Sequence, residues 1–162
     1  MSVNRHSPHV YVLPEDDANR QVANGFLLDP SLADYRIRVL EEAGGWRETL
    51  DRFCSIYAAE MDRYPQRFMV LVIDFDGSED RLSLAKGRIP HHLIDRVFVL
   101  GALNEPEDLR RELGSYETIG LAMARDCREG TDLIWANQQL RHNAAEITRL
   151  RAQVSPILFP KS

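Results

Sequence analysis

The chain is poor in the residue types that give small proteins a ready chemical identity. It has two cysteines, Cys54 and Cys127, and no Cys-x-x-Cys pair. That removes the usual frameworks for structural zinc, disulfide scaffolds and thiol redox chemistry, and leaves both residues as expected small buried positions on helices. No Gly-x-x-x-x-Gly-Lys stretch occurs, so a P-loop ATPase is excluded, and the serines and histidines form no nucleophile elbow. Long apolar runs are also missing. The opening "MSVNRHSPHVYVLPEDD" holds no segment of signal-peptide or membrane-span length, and the expectation is a cytoplasmic protein with no membrane partner. Lysine is scarce, with only Lys86 and Lys161 beside a larger set of arginines.

What remains is an ordinary globular composition. With 162 residues, 44% hydrophobic and 28% charged, the chain can bury a core as one domain without staples. The formal net charge of -5 argues against a uniformly basic nucleic-acid coat, while leaving room for a local basic patch or metal-mediated phosphate contact.

Hydrophobic periods alternate along the chain. "HVYVLP" at 9–14 reads as a strand closed by Pro14, and "DDANRQVANGFL" as a helix with Asp16 or Asp17 as its N-cap. In "DYRIRVLEEAGG", Tyr35, Ile37 and Val39 alternate with charges, which suits an edge strand. Trp46, Leu50, Phe53 and Met61 repeat at helical spacing up to Pro65. "FMVLVI" and "DRVFVLGA" are continuous apolar strands of the kind parallel sheets cover on both faces. The intervening "GSEDRLSLAKGRIPHHLID" reads as a polar connection with at most a helical turn, and "EPEDLRRELG", "SYETIGLAMARDCREG" and "DLIWANQQLRHNAAEITRLRAQV" as helices. The expected fold is α/β: a Rossmann-like parallel sheet of about four strands flanked by helices, with a core at 9–113 and a helical C-terminal extension at 114–162.

Two of these strands end in acids. "HVYVLPEDD" stops on Glu15, Asp16 and Asp17, and "FMVLVIDFDG" on Asp74 and Asp76. Open parallel sheets bind ligands outside the carboxyl ends of their strands, so the two endings can share one site. The outer residues of Asp-x-Asp fall on the same side of an extended backbone, where both can face one hard cation such as magnesium. The competing reading is that such acids cap helices or solvate turns.

A first strand ending in Glu, "VYVLPE", and a third ending in Asp-x-Asp, "VIDFD", resemble the Toprim domain of topoisomerases, primases and overcoming-lysogenization-defect nucleases over roughly residues 9–113. The resemblance implies a Toprim-like fold in which Glu15, Asp74 and Asp76 bind Mg2+ or Mn2+ and act in phosphodiester chemistry on nucleic acid, DNA ahead of RNA. Lacking the topoisomerase tyrosine domain and the primase zinc module, the chain is nearest to a small stand-alone nuclease, of a kind that works beside a separate ATPase. Many Toprim domains follow the Glu with Gly, where this chain has Asp16. A different class of function is a catalytically silent Toprim-like module that binds a partner protein. Haloacid-dehalogenase phosphatases share the Asp-x-Asp strand, but theirs is the first strand of the chain, and here two precede it.

Further candidates are local. Lys86 follows the Asp-x-Asp strand, where an ammonium can meet phosphate, and is carried as a catalytic candidate. Glu105 follows the fourth strand and is a candidate ligand for a second metal. His91 and His92 read as solvated loop residues, since neighbours in sequence point apart. Arg125, Arg128, Arg141, Arg149 and Arg151 are candidates for a basic flank that holds nucleic acid, against the simpler expectation of surface ion pairs with Glu146 and other helix acids. Oligomeric state is open, a homo-oligomer included.

Overall fold

The computed structural model of the chain describes residues 2–78 and 80–161. In chain order its elements are β1 (His9–Pro14), α1 (Asp17–Phe26), β2 (Ile37–Val39), α2 (Trp46–Arg52), α3 (Ala58–Arg63), β3 (Arg67–Val72), α4 (Asp80–Arg88), β4 (Val97–Leu100), α5 (Pro106–Leu113), α6 (Tyr116–Glu129), α7 (Ala144–Gln153) and α8 (Ser155–Leu158). A π-helical turn, Phe53–Tyr57, joins α2 to α3, so the stripe read from Trp46 onward forms one helical rod. Short 3-10 turns precede β2, β4 and α7.

The strands form one parallel sheet in the order β2-β1-β3-β4. Successive strand side chains point to opposite faces, and both faces here are apolar. Val10, Val12, Val70, Phe98 and Leu100 pack with Ala23 of α1, Leu109 of α5, Ile119 of α6, Ile147 of α7 and Leu158 of α8. Tyr11, Leu13, Met69, Leu71, Val97 and Val99 pack with Leu50 of α2, Phe53, Met61 of α3 and Ala85 of α4. The C-terminal helices therefore supply the cover of one sheet face. Gly25 and Gly120 let α1 lie against α6: a Cβ on Gly120 would stand 1.9 Å from the Val22 carbonyl oxygen, and one on Gly25 2.2 Å from that of Glu117. Among the described residues, no helix is long and apolar enough to cross a membrane.

Two segments differ from the sequence reading. The polar connection after β3 is a full helix, α4, in which Ala85 is buried and Leu82 packs partly against the core while Leu84 is exposed; two core contacts over nine residues are too little periodicity to recognise. Conversely, the stretch read as one helix over 132–154 is turns up to residue 143. Its backbone is held by tertiary partners instead: the buried Asp126 carboxylate accepts from Ile134 N at 2.8 Å, and Leu103 N donates to Gln139 O at 2.9 Å.

Edge strands leave unpaired ladder groups, which must be covered or repaired. On the free side of β4, Val99 N donates to Glu146 Oε2 at 2.9 Å. Just beyond the strand, Gly101 N donates to Asn143 Oδ1 at 3.2 Å and Gly101 O accepts from Asn143 Nδ2 at 2.9 Å. Two side chains thus stand in for a fifth strand. Removing both Asn143 bonds would strand a buried N–H and a buried carbonyl, so Asn143→Ala is expected to lower stability by about 2–4 kcal/mol. Urea unfolding followed by circular dichroism measures this, and a loss below about 0.5 kcal/mol would mean water replaces the amide.

Candidate functional site

The site begins where β1 leaves the sheet. Parallel pairing runs in register from His9 opposite Arg67 to Pro14 opposite Val72, and Glu15 N still donates to Val72 O at 2.8 Å. The chain then turns into α1, with Asp16 as N-cap, its Oδ1 accepting from Asn19 N at 2.9 Å. Asp16 is extended at φ -143°, so no glycine is required there. On the far side, Ile73 N and Phe75 N continue toward Leu100 O and Ala102 O, at 2.9 and 3.1 Å. Asp74 N points the other way, toward the place β1 has vacated, and the Glu15 carboxylate fills it, Oε2 accepting from Asp74 N at 2.5 Å. A side chain has taken over the next rung of the ladder.

Asp74 shares the face of Val70 and meets α1, where its Oδ1 accepts from Asn19 Nδ2 at 3.1 Å. It is 9% exposed. Burial, with the neighbouring Asp16 and Glu15 charges, outweighs the Asn19 bond and raises its pKa to about 8, so at neutral pH this carboxyl is largely protonated. Burial also pushes Glu15 up, reinforced by Asp16 and Asp76 and opposed by the Asp74 N–H and Arg81.

Asp76 behaves differently. It has φ +48°, the one positive value outside glycine among the described residues, and sits in a turn closed by Ser78 N on Phe75 O at 2.8 Å, with Gly77 N donating across to Leu103 O at 2.6 Å. The extended geometry that would align it with Asp74 is broken. Its carboxylate instead pairs with Arg81 of α4, Nη1 to Oδ2 at 2.9 Å. The same Nη1 donates to Asp74 O at 2.8 Å, and the guanidinium carbon lies 4.4 Å from the centre of the Trp46 ring.

The remaining candidates lie elsewhere. Lys86, in the last turn of α4, ion-pairs with the buried Glu146 at 2.8 Å and so joins the β4 edge. Glu105 is an exposed residue at the start of α5 with no side-chain cap bond. His92 pairs with Asp62 at 2.7 Å on the opposite sheet face from α1. Of the arginines, Arg149 bonds Glu146 and Ile94 O at 2.8 and 2.6 Å, Arg151 bonds Asp132 at 2.9 Å, Arg128 bonds Asp29 at 3.2 Å, and Arg125 lies 3.5 Å from Glu129. Ion pairing accounts for these four, and Arg141 is exposed on a 3-10 turn. Sequence reasoning did not single out Asn19, Arg81 or Trp46. The only local signals were the spacing of Asn19 from an N-cap Asp and of Arg81 from Asp76.

Among the described residues, no three of His, Cys, Asp and Glu are arranged to hold a metal ion. Glu15 is turned onto a backbone N–H and Asp76 onto Arg81, so a closed all-protein cage is not present there. The donor chemistry nevertheless fits magnesium, which keeps several waters and needs one or two carboxylates plus substrate phosphate rather than a cage. Glu15 and Asp74 are the two carboxylates that meet this description.

Asp74 also sets a stability profile. Its folded pKa lies above the unfolded one, so the native state binds a proton that the unfolded chain releases between about pH 4 and 8. That contribution is full below the unfolded value and is lost as pH rises through the folded value. Asp74→Asn keeps the shape without the ionisation, and is expected to flatten this decline and to stabilise the protein by about 1–2 kcal/mol at pH 8. Thermal melts of both proteins from pH 4 to 9 test this; parallel curves would show that Asp74 ionises normally.

No protein-family model, curated protein or solved structure matches the chain, so the site is read from its own geometry.

Proposed function

We propose that the protein carries out divalent-metal-dependent phosphodiester chemistry on nucleic acid, as a nuclease. The observation that carries this reading is the meeting of Glu15 and Asp74 between β1 and β3. In the order β2-β1-β3-β4, the chain winds outward in opposite directions from those two strands, which makes the gap between them the topological switch point where open parallel sheets bind ligands. A buried, protonated carboxyl beside a second acid, with no cation among the described residues bonded to its side chain, is a poor choice for stability alone.

In this reading Glu15 and Asp74 hold magnesium or manganese, and Asp76 is a further acceptor once its bond to Arg81 opens. The ion supplies an activated water and charge stabilisation at the leaving oxygen. Asn19 sets the rotamer of Asp74, and α1, fixed against α6 by the glycine contacts, sets Asn19. Asp16 holds the start of α1 and keeps negative potential at the mouth.

The second reading, a silent module that binds a partner protein, is favoured by one observation, the engagement of Asp76 by Arg81. The C-terminal helices add nothing to this reading, since they pack on the sheet.

Incubation of single- and double-stranded DNA and of RNA with Mg2+ or Mn2+ separates the two. The wild type is expected to cut DNA only with metal, and Asp74→Asn to reduce the rate by at least about 100-fold, equivalent to about 2.7 kcal/mol. Equal rates in the two proteins, with contaminating nuclease controlled, would overturn the mechanism. Absence of metal binding by calorimetry would favour the silent module.

A further inference from the structure

We propose that Arg81 is the residue that receives substrate phosphate at this site, held ready for it by Asp76 and the face of Trp46. The inference rests on the phosphodiester reading above and adds the group that binds the substrate's charge.

An acidic mouth needs a cation facing it before a polyanion can enter. Most of the cations expected from the sequence are engaged elsewhere: Lys86 and Arg149 by Glu146, Arg151 by Asp132, Arg128 by Asp29 and Arg125 by Glu129, while Arg141 is exposed on a 3-10 turn before α7. Arg20, next to the N-cap of α1, is paired with Asp17 and with Glu42 at 3.1 Å. Among the described residues, Arg81 is the cation that bonds both acids of the Asp-x-Asp strand end, at the carbonyl of Asp74 and the carboxylate of Asp76.

Three features suit it to phosphate. First, among the described residues both of its hydrogen bonds leave from Nη1. A guanidinium carries five N–H donors in a planar fork, so the Nε and Nη2 edge is left for an incoming acceptor, and that fork matches phosphate oxygens in pairs. Second, the side chain is 15% exposed and the ring of Trp46 lies against the guanidinium, so the group is aimed rather than sweeping through solvent. Third, the partner it must release is weakly held. The Asp76 side chain is 57% exposed, and ion pairs open to water are held weakly. The bond to Asp74 O involves no charge on its partner and can persist while the rest of the fork turns to phosphate.

Trp46 begins α2 on the sheet face opposite α1, whereas Asp74 faces α1. Arg81 thus reaches the strand end from the side away from the Asp74 side chain, so phosphate bound there would be flanked by the guanidinium on one side and by the Glu15 and Asp74 carboxyls on the other. That is the order a phosphodiester bridging a cation and a positioning residue requires.

The test measures binding of a fluorescein-labelled 12-nucleotide single-stranded DNA by anisotropy, with calcium in place of magnesium to suppress turnover, over a salt series. The proteins are the wild type, Arg81→Ala, Arg81→Lys and Asp76→Asn, each checked by circular dichroism. Arg81→Ala is expected to weaken binding about tenfold and to lower the magnitude of the salt slope by about one. Arg81→Lys keeps the charge without the fork and should recover the slope but not the full affinity. Asp76→Asn, which weakens the bond that positions Arg81 and removes a further metal acceptor, should bind more weakly than the wild type. Unchanged affinity and slope in folded Arg81→Ala and Arg81→Lys would overturn the assignment while leaving the phosphodiester reading standing. No binding by the wild type at low salt would overturn both.

Discussion

Everything at the carboxyl end of the sheet follows from one unfinished hydrogen-bond ladder. β1 and β3 pair in register through Pro14 and Val72, and β1 then leaves while β3 continues toward β4 for several more residues. The N–H of Asp74 is left pointing at a vacated position, and a buried amide without an acceptor costs about 1–3 kcal/mol. Glu15 supplies the acceptor. The same bond brings a carboxylate to the backbone of a residue that carries another, and the departure of β1 brings the start of α1, with Asp16 and Asn19, over both. One register thus produces a sheet terminus and a crowded acidic site together.

The two ends of these strands handle charge in opposite ways. At the amino end, Arg67 is fully buried, yet its Nη1 bonds Glu60 at 2.7 Å, its Nε donates to His9 Nε2 at 3.0 Å, and it lies 3.9 Å from the centre of the Tyr11 ring. His9 must be neutral to accept that bond, and burial lowers its pKa accordingly. This is a charge provided with partners, as a structural role demands. At the carboxyl end Asp74 is buried beside further acids and held back from ionisation. Of the nearby cations, Arg81 reaches its main-chain oxygen rather than its carboxyl. Paired charge reads as architecture, and unrelieved charge as a place for a ligand.

The C-terminal third belongs to the same physical problem. A parallel sheet has two apolar faces and two raw edges. α6, α7 and α8 cover one face, while Asn143 and Glu146, at the start of α7, finish the hydrogen bonding along β4. Glu146 also gathers Lys86 and Arg149, which is why the cations that looked available in the sequence are structural in the fold.

The strand runs, their parallel class and the acids at their ends were readable in the sequence because they are local: continuous apolar stretches, a proline stop, an N-cap spacing and an Asp-x-Asp triplet each act within a few residues. The short alternating β2 was likewise recognisable as an edge. α4 was underread because its stripe is one buried alanine and a partly buried Leu82, and 132–140 was overread as helix because its apolar residues pack in separate turns whose few backbone bonds do not run on into a helix. What no local pattern could decide was which carboxyl would bond what. Glu15 and Asp74 are 59 residues apart and meet only through the β1–β3 register. Asp76 is turned from its neighbour by a left-handed backbone, and Arg81 is aimed by a tryptophan from another helix. Composition and periodicity placed acids at strand ends; the long-range pairing of strands decided which were buried, which were neutralised and which cation stood beside them.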